Sequence, residues 1–110
     1  MTVATESDRL FPLLLARCRE LSARFGRAQE VPLSIYETDD DLATLRPEDG
    51  GRWTADFHRQ VMESLALRLR LEGFPVRLVL LNAADYLRWL AQEKRRNSPE
   101  ARAQFISLQR

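Results

Sequence analysis

A chain of 110 residues and 12.8 kDa, 45% apolar and 30% charged, is one domain's worth of polypeptide, able to bury about two-thirds of its unfolded surface. Seventeen basic against sixteen acidic side chains leave a formal charge of +1, which excludes a strongly basic nucleic-acid coat and an acidic disordered tail. The single cysteine, Cys18, excludes an internal disulfide and a cysteine-rich metal cluster. No apolar run approaches the ~20 residues of a membrane span, and no basic stretch followed by an apolar one opens the chain. A cytoplasmic domain, 1–110, with no membrane partner and no cofactor is the expectation.

Residues 1–7 are small and polar and read as a frayed lead-in. Leu10, Phe11, Leu14, Leu15, Cys18, Leu21 and Phe25 then recur at three- and four-residue spacings, with arginines between them, which predicts an amphipathic helix over 10–25. Pro12 places the start of regular helix near Phe11, because proline is tolerated only in a first turn. Gly26 is positioned to end it. In Val31–Glu37, Val31, Leu33 and Ile35 share one face of a predicted strand, and Pro32, which lacks a ladder donor, suits its first turn or an edge. Residues 38–53 hold Asp39, Asp40, Asp41, Pro47 and Gly50-Gly51 and read as an acidic loop, with at most one turn of helix capped by Asp41.

Thr54 opens a second helix, 54–72, whose stripe is Phe57, Val61, Met62, Leu65 and Leu69, widened by Leu67 and Leu71. Arg59 with Glu63 and Arg68 with Glu72 are spaced as i,i+4 ion pairs. Gly73 and Pro75 stop the helix. Val76–Leu81 is nearly continuous in apolar residues, as in a strand covered on both faces. Asn82 caps a helix over 83–95, and Ser98 with Pro99 opens a last one over 98–108. The order predicts a mostly helical α/β domain whose two strands form a small parallel sheet from a βαβ unit. Two strands leave edges to cover, and Trp53, Trp89, Leu67 and Leu71 exceed what one small core needs. A homodimer or a partner protein is expected to cover that surplus.

Few residues point to chemistry. Asp39, Asp40 and Asp41 follow the first strand, where α/β sheets bind ligands, and their oxygens suit a hard cation such as magnesium. The plainer account is a solvated loop. His58, the only histidine, lies between the apolar stripe and the polar face of its helix and is expected to be a boundary residue. Cys18 on the apolar stripe reads as core. No phosphate-binding loop, nucleophile elbow or metal-protease motif is present, and no catalytic residue is assigned.

Sixteen of the seventeen cations are arginine, scattered evenly except at Lys94, Arg95 and Arg96, a cluster able to touch nucleic-acid phosphates or simply to complement a helix terminus. The strand Val76–Leu81, the helix Asn82–Ala91 and the Ser98-Pro99-Glu100 start together resemble a ribbon–helix–helix DNA-binding unit over 75–110. The resemblance implies a dimer whose paired strands enter the major groove with Arg77, Val79 and Leu81 outward and Ser98 near phosphate. Only Arg77 suits base readout. Two functions are therefore expected in order: a small non-enzymatic interaction protein, and a dimeric DNA-binding regulator. Burial of Val79 and Leu81 under helices removes the ribbon; their exposure on a two-fold strand pair supports it.

Overall fold

The structure, a computed structural model, describes residues 3–49 and 51–109. Among the described residues, five α-helices, one 3-10 turn and two strands follow in the order α1 (Val3–Phe25), β1 (Val31–Ile35), α2 (Asp39–Leu45), the turn Pro47–Asp49, α3 (Ala55–Leu71), β2 (Val76–Leu80), α4 (Ala83–Glu93) and α5 (Pro99–Ser107). β1 and β2 pair in parallel with Val31 opposite Val76 and Ile35 opposite Leu80. The ladder continues at both ends, with Val31 N–H donating to Pro75 O at 2.8 Å and Leu81 N–H to Ile35 O at 2.9 Å. This is the mostly helical α/β fold that the order of elements predicts.

Alternation along the strands divides the interior between two faces of the sheet. Val31, Leu33, Ile35, Val76 and Leu78 meet α1 and α3 through Leu14, Val61, Met62, Leu65 and Leu69. Tyr36, Val79 and Leu81 belong to the opposite core, with Leu42 and Leu45 of α2, Tyr86 and Leu90 of α4, and Phe105 and Ile106 of α5. The result is a slab of 34 × 34 × 21 Å with the sheet between two helical layers. No described helix is long and apolar enough to cross a membrane.

Several local expectations are corrected. Of the lead-in 1–7, expected to fray, residues 3–7 are already helical and 1–2 lie outside the described residues, and Pro12 lies inside α1. Tertiary contacts oppose the local break, which costs about 3 kcal/mol in a helix interior. Ser64 Oγ donates to Ser7 Oγ at 3.0 Å, Arg68 pairs with Asp8 at 2.7 Å, and the Arg68 guanidinium lies 4.1 Å over the Phe11 ring. Arg68 therefore does not pair with Glu72, which binds Arg19 at 2.8 Å instead.

The stretch 38–53 is not all loop: α2 sends Leu42 and Leu45 into the core. Its cap is Thr38, whose Oγ1 accepts from Asp41 N–H at 3.0 Å, rather than Asp41. His58 is fully buried rather than at a boundary, edge-on to Tyr36 at 5.3 Å and tilted against Trp53 at 5.7 Å, because residue 53 folds over α3. β2 has cover on both faces, Val76 and Leu78 toward α1 and α3 and Val79 toward the opposite core, but Leu80 at its end is 51% exposed. Phe25, expected on the buried stripe of α1, is exposed as well. α4 stops two residues early where Lys94 turns left-handed at φ 53°.

Candidate interaction site

A parallel ladder turns alternate residues of a strand toward its partner and away from it. Val31 and Ile35 bond toward β2, so the backbone groups of Pro32 and Ser34 point to the other side of β1. Pro32 offers only a carbonyl there, while Ser34 offers an N–H and a carbonyl. On the outer side of β2 the carbonyl of Val76 accepts from Arg70 at 2.8 Å. Among the described residues nothing comparable covers the outer side of β1.

That side opens into a slot of about 370 Å³. Leu14, Cys18 and Leu21 of α1 form one wall, Pro99, Ala103 and Ser107 of α5 the other, and Val31, Pro32 and Leu33 the floor. A shallower groove of about 590 Å³ continues from it along α1, past Leu10, Leu13 and Leu33 to Met62 and Leu65 of α3. Arg17 and Glu100 stand on opposite walls, and neither makes an ion pair or hydrogen bond among the described residues. Burial pushes the Cys18 thiol above its ordinary pKa, against the opposing pull of the Arg17 charge. It sits in the wall as a neutral thiol, not as a nucleophile.

The residues predicted as an apolar surface do not come together. Trp53 is half-buried, edge-on to Phe57 at 5.3 Å and packed against both cores. Trp89 lies along Tyr86 and Phe105, under the Arg95 guanidinium. Both tryptophans thus serve the interior rather than an exposed anchor. Leu67 and Leu71 alone are open to solvent, at 60% and 78% exposed, one turn apart on α3.

The DNA-contact set is corrected in the same way. Val79 is 7% and Leu81 1% exposed, and β2 is already paired with β1 of its own chain, so no free ribbon exists. Arg77 is engaged by Glu30 at 3.0 Å and by the Gln109 carbonyl. The Ser98 hydroxyl accepts from Ala101 N–H at 3.0 Å as the cap of α5. Arg95 donates to Gln104, while Lys94 and Arg96 are exposed in the α4–α5 turn.

Asp39, Asp40 and Asp41 occupy the first turn of α2, where carboxylates complement the helix dipole. One of them is engaged elsewhere: Asp39 Oδ1 accepts from Ala55 N–H at 2.7 Å and so ties α2 to the start of α3. Among the described residues no three His, Cys, Asp or Glu side chains group as metal ligands.

Motif reading missed the slot residues because they come from three distant stretches, 14–21, 29–33 and 99–107. The available signal was Pro32, a residue that fits a strand only where its missing donor faces away from a neighbour. No protein-family model matches the chain, and no curated protein matches it.

Proposed function

We propose that the chain is a non-enzymatic protein-interaction module that takes part of a partner protein into the slot between α1, β1 and α5. The observation that carries this reading is the outer side of β1, whose backbone groups face an apolar-walled slot rather than a helix or another strand. Proteins normally cover or blunt such an edge.

Peptide display provides the test, with wild-type protein as bait and Ala103→Trp as counter-bait. Ala103 is exposed on α5, so the larger ring fills the slot without entering the core. Peptides that bind the wild type and lose at least roughly tenfold on Ala103→Trp are expected. Recovery of none, or of peptides that bind both proteins equally, overturns the reading.

A further inference from the structure

The helical layer and the sheet differ in width. Two packed helices span about 16–20 Å, whereas two strands span only ~10 Å. α3 lies across both strands, and α1 packs chiefly along α3, so α1 overhangs the space beyond β1. α5 lies against β1 on the other face and presents Ala103 and Ser107 to the same space. What remains between α1 and α5 has the position of a third strand.

We propose that the slot receives an extended segment of a partner protein as a third strand hydrogen-bonded to Ser34 and to the carbonyl of Pro32. This inference rests on the slot being the interaction site. A second copy of the chain is a poor occupant, because its own α1 and α5 flank its β1, and sheet-to-sheet contact drives each α1 into the other. A single strand brings no helices and enters.

Charge and side-chain size describe the segment. Successive side chains of a strand face opposite ways, one set toward α1 and the other toward α5. The α1 wall offers Leu14 and Leu21 beside the guanidinium of Arg17, which has no partner among the described residues and calls for apolar residues and a carboxylate. The α5 wall offers the small Ala103 beside the carboxylate of Glu100, likewise without a partner among the described residues, which calls for an apolar residue and a base. Main-chain bonds supply affinity, and these alternate positions supply selectivity.

The probe is the acetylated, amidated heptapeptide Thr-Glu-Val-Val-Lys-Val-Thr, labelled with fluorescein and titrated by anisotropy against the full chain. An added strand turns every second residue toward β1, so N-methylation of single peptide amides should weaken binding with a period of two, by roughly tenfold at each sensitive position. Ser34→Pro removes the one outward N–H while leaving the bonds to β2 intact, and should weaken binding by a similar, roughly tenfold factor. The methylation scan uses wild-type protein and so does not depend on how that variant folds. Binding that Ala103→Trp abolishes but that is indifferent to the methylation pattern overturns strand addition and leaves the interaction site standing. Absence of any slot-dependent binding overturns both.

Discussion

Helix α5 borders two flanks of the molecule that are built on opposite plans. Its inner face, Ala101, Arg102, Phe105 and Ile106, closes one flank, and its outer face, Pro99, Glu100, Ala103 and Ser107, lines the open slot. On the closed flank the polar groups answer one another. Tyr86 Oη donates to Asn97 Oδ1 at 2.7 Å, and Asn97 Nδ2 donates to the Leu45 carbonyl at 2.8 Å. Arg102 donates to the same carbonyl at 2.6 Å and pairs with Glu48. Leu45 ends α2, so two side chains satisfy a helix-terminal carbonyl that has no partner inside its own helix. On the open flank, Val31, Pro32 and Leu33 floor the slot, and alternation along β1 turns the Pro32 carbonyl and the Ser34 amide and carbonyl away from β2. A small domain gains cohesion from the first arrangement and leaves a template for another chain in the second.

The largest effect expected from breaking this contrast lies on the closed flank. Arg102→Ala deletes the guanidinium that joins α2, the turn at 47–49 and α5, and leaves a cavity in its place. A loss of about 3 kcal/mol, or roughly 15 °C in melting temperature, is expected in thermal and urea denaturation. A change below about 1 kcal/mol would mean that the network follows the packing of Phe105 and Ile106 rather than securing it.

Alkaline pH sharpens the same contrast with a smaller effect. Burial raises the pKa of the Tyr86 hydroxyl above its ordinary value of 10.0, with the charge of Arg102 pulling the other way. The native state therefore holds this proton more tightly than the unfolded chain does. The resulting stability is complete below pH 10 and is lost as pH rises through the folded-state value. Tyr86→Phe should cost about 1 kcal/mol at neutral pH, and its deficit should narrow as denaturation is repeated from about pH 8 to about 11. A deficit constant across that range would show that Tyr86 ionises alike in both states.

The two flanks were unequally legible in the sequence. Thr54, Asn82 and Ser98 each announced a helix through a hydroxyl or amide able to cap it locally, and all three do so, accepting at 3.0, 2.9 and 3.0 Å. Gly73 and Pro75 likewise marked the break between α3 and β2. Local signals misled where distant partners decide the outcome. Pro12 sits inside a helix because Arg68 and Ser64 hold the turn before it, and Asp39, read as part of a solvated loop, accepts from the first amide of α3 sixteen residues away. The slot left almost no trace, since it arises from the width of one layer against another. Arg17, Glu100 and Ala103 are unremarkable residues that only the packing of α1 and α5 around β1 brings together.

The smallest expected effect belongs to α3, which serves as a reference for both flanks. Leu67 and Leu71 are the exposed leucines of that helix, and two side chains of their size at 60% and 78% exposure offer roughly 250 Å² between them. A stable interface needs about 800 Å² from each partner, so this ridge is too small to hold a second copy by itself. Neither residue touches the Arg102 network or the slot. The double variant Leu67→Ser, Leu71→Ser should therefore sediment as the wild type does and keep its stability to within about 0.5 kcal/mol per site. It should also bind the heptapeptide unchanged. A shift in sedimentation would place a self-association surface on α3, whereas a shift in peptide affinity alone would extend the open flank across α1 to this helix.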